Sequence, residues 1–145
     1  MTLQNLLGKS LDVVTPNRDT VGRLLTAAER NLTDAALPAL SAENRFDAAY
    51  KAIMQCAMIA LHANGYRTLT SRPGHHQTAI QTLPQTIGLP NEEMIVLDAL
   101  RKQRNLADYD GDPVPDSTAQ DCITCARSLL VELRNWLSGN RPELL

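Results

Sequence analysis

Residues 41–65 read SAENRFDAAYKAIMQCAMIALHANG. Ser41 stands where a helix N-cap belongs, because its hydroxyl can accept from a backbone N–H of the first turn. Phe46, Ala49, Tyr50, Ile53, Met54, Ala57, Ile59, Ala60 and Leu61 then follow in a helical stripe that widens toward its end. Gly65 sits at the stop, at the position just past a helix where left-handed backbone suits glycine. This stretch sets the reading of the rest of the chain as helical.

The same period recurs on both sides. Leu3, Leu6, Leu7, Leu11 and Val14 suggest a short helix in an extension over residues 1–14. Thr15-Pro16 offers an N-cap and a first-turn proline, and Val21, Leu24, Leu25, Ala28, Leu32, Ala35 and Ala36 predict a helix over roughly 17–36. HHQTAIQTL predicts a shorter helix over 74–82, interrupted at Pro84. Asn91 opens another, with Glu92 and Glu93 at its positive end and Met94, Leu97, Leu100, Leu106 and Tyr109 expected on its buried face. The loop GDPVPDST leads to a last helix capped by Asp116 or Ser117 and ended at Gly139. Its stripe is Cys122, Cys125, Ala126, Leu129, Leu130, Leu133, Trp136 and Leu137. No alternating strand pattern of useful length is present. The expected fold is therefore all-α, an up-and-down four-helix bundle with one additional short helix, in a single domain over 1–145.

Composition narrows the function classes. The core is rich in Ala and Leu, with one Trp, one Phe and three Tyr, which suits helices better than sheet. A formal charge of -2 gives no global attraction to nucleic acid or anionic membrane, so phosphate binding would have to be local. No run approaches the length of a membrane span, and the N-terminus does not read as a signal peptide. Three cysteines fit a reducing compartment, so a cytoplasmic location is expected. The sequence holds no P-loop, dinucleotide fingerprint or nucleophile elbow. Cys122-x-x-Cys125 lies on the apolar stripe inside the last helix and is expected to be core rather than redox centre or zinc site. Adjacent His75 and His76 point about 100° apart on a helix and do not chelate one metal comfortably. No metal or other cofactor is expected. Polar histidines at a helix start are the plain reading, and a polar pocket at the mouth of the bundle is the other.

The densest chemistry is LRKQRNLADYDGD, residues 100–112. Arg101, Lys102 and Arg104 form the only dense basic cluster in the sequence, and Asp108, Asp110 and Asp112 largely cancel it. Arg101, Arg104 and Asp108 fall on one helical row, as a self-neutralising charged face would. Arg104-Asn105, however, is a pair of planar multi-donor groups suited to phosphate and base edges, one turn before Tyr109.

These residues carry a resemblance. RKQRNLADYD resembles the signature region of HEPN domains, helical bundles of prokaryotic toxin and nucleotidyltransferase-associated proteins. LLTAAERNLTDA, RFDAAYKAIMQCAMIALHANGYR and PGHHQTAI resemble other parts of a HEPN subfamily, so that the likeness spans roughly 15–137. The family hallmark is Arg, often Arg-Asn, followed after four to six residues by His. In its active ribonucleases the Arg and His of two protomers meet at a dimer interface and cleave RNA without metal, the 2′-hydroxyl attacking. Carried over, Arg104 and Asn105 take the Arg-Asn places, whereas Tyr109 holds the His place. A tyrosine with an ordinary pKa near ~10 is a poor acid–base catalyst at pH 7.

The resemblance thus implies a homodimer, and with the charged-face reading beside it three functions stand. The first is a non-catalytic HEPN-like module that binds RNA or nucleotide, or a nucleotidyltransferase partner, in a toxin–antitoxin, defence or stress setting. Arg101, Arg104, Asn105, Asp108 and Tyr109 are its binding residues. The second is a metal-independent endoribonuclease in which His75 or His76 supplies the imidazole opposite Arg104. The third is a structural adaptor in which Arg101, Arg104, Asp108 and Asp110 form a salt-bridge lattice.

Overall fold

A computed structural model describes residues 2–145 of the chain. It is an all-α helical bundle with one small sheet. A 3-10 turn, Gln4–Leu6, leads to strand β1, Leu11–Val13. Helices α1, Arg18–Ala35, and α2, Ala42–Ala63, follow, then strand β2, Tyr66–Thr68. Two short helices, α3, His75–Gln81, and α4, Leu83–Ile87, precede the long α5, Asn91–Asp110, and α6, Asp116–Asn140. A 3-10 turn, Pro142–Leu144, closes the chain.

The widening stripe of residues 41–65 has a structural cause. Helix α2 is the centre of the bundle, packed chiefly against α1 on one side and α6 on the other. Its second half is buried almost all round, from Ala52 to Ala63 with few breaks. Ser41 caps it, accepting from Asn44 N at 3.2 Å, and Gly65 follows it at φ +88°. Asn31 donates to Gln55 and Arg45 Nε donates to Ala35 O at 2.9 Å, tying α1 to α2. The thiols of Cys56 and Cys122 are buried, and burial pushes both up to about 12, so they serve as packing groups.

Several local expectations are corrected. The segment 1–14 ends in a strand, not a helix. β1 pairs antiparallel with β2, setting Leu11 opposite Thr68, Asp12 opposite Arg67 and Val13 opposite Tyr66. An ion pair at 3.0 Å joins Asp12 and Arg67 across it. Three-residue strands are too short to show alternation. Asn17, not Thr15, caps α1, its side chain accepting from Thr20 N at 3.1 Å. Pro84 does not merely interrupt a helix; it sits in the first turn of α4, where its missing N–H costs nothing. Helix α6 runs past Gly139 to Asn140 and starts after Pro115, with Asp116 as its first residue.

Helix α5 differs from expectation in which face it buries. Leu97 and Leu100 are buried, but Leu106 is 43% and Tyr109 80% exposed. At 3.6 residues per turn, nine residues from Leu97 to Leu106 make two and a half turns, which puts Leu106 on the opposite side. The inward row instead continues from Leu97 and Leu100 to Arg104 and Ala107. A cation therefore occupies the next core-like position. The helix stops at Gly111, φ +71°, whose N–H returns to Leu106 O. Unlike the other long helices, α5 is held mainly by α3.

Candidate functional site

The packing of α3 on α5 opens a polar groove of about 380 Å³. His75, His76 and Gln77 line it from α3, with Gly74 before them. Arg101, Arg104, Asn105 and Tyr109 line it from α5. Every residue expected to carry chemistry except Asp108 is thus in one groove, although the two groups lie far apart in sequence. Gly74 makes the geometry possible: at φ +85° it turns the loop so that α3 begins directly at His75. Thr78 then fastens the first turn, its N–H and hydroxyl both donating to Gly74 O.

Two of the lining residues, Arg104 and His76, meet Tyr50 of α2, which is 2% exposed. The Arg104 guanidinium lies 5.5 Å above its ring, within cation–π range. The Tyr50 hydroxyl lies 3.2 Å from His76 Nδ1, and His75 meets the His76 ring edge to face at 4.6 Å. Burial pushes the Tyr50 phenol up to about 12 despite the nearby positive charges of Arg104 and Arg101. The phenol therefore keeps its proton. A buried O–H needs an acceptor, and His76 Nδ1 is the partner this one has. With the phenol donating, Nδ1 accepts and the ring proton of neutral His76 sits on Nε2. Burial, followed by the charges of His75, Arg104 and Arg101, holds the His76 pKa below its usual value. His76 is then a neutral donor at pH 7, not a free base.

Arg104 is 28% exposed and pairs with Asp108 one turn on, Nε to Oδ2 at 2.8 Å. That Nε is shielded from solvent and is not aligned to hydrogen-bond the carboxylate. The same guanidinium thus meets both Asp108 and the Tyr50 ring while Arg104 lines the groove.

Arg101 is fixed differently. Its Nε donates to Asp98 Oδ1 at 2.8 Å, and both side chains are nearly buried, 14% and 12% exposed. Gln81, the last residue of α3, donates to the same carboxylate at 3.4 Å, and Lys102 Nζ lies 3.9 Å away. Burial alone would raise the Asp98 pKa; the Arg101 hydrogen bond and charge, Gln81 and Lys102 outweigh it and hold the carboxyl low. The expected lattice of Arg101, Arg104, Asp108 and Asp110 is thus formed only between Arg104 and Asp108. Arg101 turns to Asp98, and Asp110 makes no ion pair among the described residues.

Two residues that hold the candidate site together, Tyr50 and Asp98, carry no motif in the sequence. Tyr50 falls on the apolar stripe of α2, where a buried tyrosine hydroxyl usually finds a partner. Asp98 stands between Leu97 and Leu100 on a helix that buries both, a position where a carboxylate signals a buried cation. No group of three or more His, Cys, Asp or Glu placed to hold a metal is found among the described residues. None of the described helices is long and apolar enough to cross a membrane. No family model, curated protein or solved structure matches the chain.

Proposed function

We propose that the chain is a HEPN-like module that binds RNA through its phosphates in the α3–α5 groove. The observation that carries this reading is the convergence of His75, His76, Arg101, Arg104 and Asn105 on one open polar groove. Arg104 supplies a fork of donors with full charge, Asn105 an amide, and His76 an Nε2–H that can donate to a phosphate oxygen. Tyr109, exposed at the rim, offers a face for base stacking. The outer face of α5, with Ile95 and Leu106 exposed, supports pairing of two copies through this helix. Three free cysteines support a reducing, cytoplasmic setting, in which toxin–antitoxin, defence or stress roles and a nucleotidyltransferase partner belong to the same reading.

Metal-independent RNA cleavage is the second reading. It is favoured by the same meeting of Arg104 with His75 and His76, and opposed by the Tyr50 hydrogen bond, which occupies the lone pair of Nδ1 and leaves Nε2 protonated. Binding of fluorescent single-stranded RNA at low salt, with EDTA present and product length followed, tests both. Removing the Arg104 charge weakens binding about tenfold, the low end for a charged hydrogen bond because Asp108 already shares it. Asp108→Ala frees the guanidinium and tightens binding a few-fold. A structural Arg104 would leave affinity unchanged in both variants, and that result overturns the proposal. Cleavage that survives EDTA and disappears in Arg104→Ala and in His75→Ala/His76→Ala would establish the second reading.

A further inference from the structure

Outside the α3–α5 groove, the fold builds a second basic site that is not legible as a cluster in the sequence. A trough of about 890 Å³ runs along α1. Its floor is made of small residues, Gly22 and Thr26, one turn apart, and Gly22 has open space above its backbone. Arg18, Arg23 and Arg30 rise beside that floor from α1, and Arg134 of α6 joins them, with Leu144 and Leu145 at one end. Asp19 is the only side-chain carboxylate among the lining residues. These four arginines lie 5, 7 and 104 residues apart in the chain, so no basic run announces them.

Their partners are few. Arg134 pairs with Glu29, and Arg23 Nη2 donates to Thr20 Oγ1 of its own helix at 3.3 Å. Arg18 and Arg30 have no ion-pair partner among the described residues. In a chain whose net charge is -2, and with Arg134 offset by Glu29, three further guanidiniums about one concavity face a single side-chain carboxylate, Asp19, and leave a local positive surplus. Each planar fork matches two oxygens of a phosphate, and several around a trough match linked phosphates better than a single one.

We propose that this trough binds a ligand carrying two or more linked phosphates. A nucleoside triphosphate and the backbone of an RNA strand share that chemistry. The site stands on residues separate from the α3–α5 groove, so its failure leaves the proposed function intact and the reverse also holds.

The test is amide and arginine side-chain NMR at low salt, titrating three probes: inorganic tripolyphosphate, ATP and a single-stranded RNA dodecamer. Shifts centred on Gly22, Thr26 and the Nε groups of Arg18, Arg23 and Arg30 are expected. They should weaken at least tenfold in affinity in Arg23→Glu/Arg30→Glu and persist in Arg104→Ala. Both reversed residues are exposed, and an unchanged amide pattern elsewhere confirms that the double variant folds. Response to tripolyphosphate and ATP alone assigns the trough to a free nucleotide, and response to RNA alone assigns it to the strand backbone; either supports the site. The proposal is overturned if none of the three probes shifts these signals, or if the shifts are undiminished in Arg23→Glu/Arg30→Glu.

Discussion

Asp98→Ala should loosen the site by freeing α5 from α3. The Asp98 carboxylate receives Arg101 at 2.8 Å with both side chains almost out of solvent, and it also receives Gln81 from the end of α3. A fully exposed ion pair is worth about 0–1 kcal/mol, whereas removing one partner of a buried pair costs about 3–5 kcal/mol, because the other charge is stranded. Exposures of 12% and 14% place this pair nearer the buried limit. The Gln81 contact is long and Lys102 is mostly exposed, so neither adds much. A loss of about 2–3 kcal/mol follows. With an unfolding entropy of about 2.1 cal/mol/K per residue, that lowers Tm by about 7–10 °C for a chain of 145 residues. Urea melts and thermal circular dichroism measure it. Replacing both partners, Asp98→Leu with Arg101→Met, should recover most of the loss, since no charge is then left buried. The sign with pH is fixed too. The folded carboxyl titrates below its usual range, so its stabilisation is full above the unfolded pKa near ~3.9 and is lost as pH falls through the folded value. A loss under about 0.5 kcal/mol, the level of a surface pair, would refute the reasoning.

Two further outcomes are expected. His62 Nε2 accepts from Asn17 N at 2.9 Å at the start of α1, and burial lowers its pKa. Its stabilisation is therefore complete above the unfolded value near ~6.5 and falls away below it, and urea melts from pH 8 to pH 5 should show a decline that is shallower in His62→Gln, His76 accounting for the part that remains. Tyr50→Phe keeps the ring under Arg104 but removes the hydroxyl, costing about 0.5–1.5 kcal/mol and freeing Nδ1 of His76; imidazole nitrogen shifts should then show mixed tautomers where the parent protein shows one.

What was legible in the sequence was whatever repeats at 3.6 residues. The long helices and the Ser41 and Gly65 boundaries of α2 follow from period and caps alone. The two strands leave no pattern at three residues each, and their pairing is a tertiary event between segments separated by α1 and α2. The buried face of α5 differs from the expected one because Leu106 and Tyr109, though apolar in type, lie out of phase with Leu97 and Leu100. The phase set by Leu97 and Leu100 leads to Arg104. The groove residues were nameable from their chemistry. Their meeting was not, because α3 reaches α5 through the left-handed Gly74 and the shared Asp98 contact, neither of which is periodic. For the same reason the arginine trough on α1 and α6 was invisible in a sequence whose only basic run is at 101–104.

The central claim, that the α3–α5 groove takes an RNA phosphate, is tested most directly at His76. Nitrogen-detected NMR of its imidazole, with and without a short single-stranded RNA, reads both tautomer and pKa. The free protein should show the proton on Nε2 and a pKa below the usual value. A phosphate bound beside the ring favours the charged form, so RNA should raise that pKa and bind more tightly as pH falls toward 5. An imidazole whose tautomer, shift and pKa are untouched by RNA at saturating concentration would contradict the account.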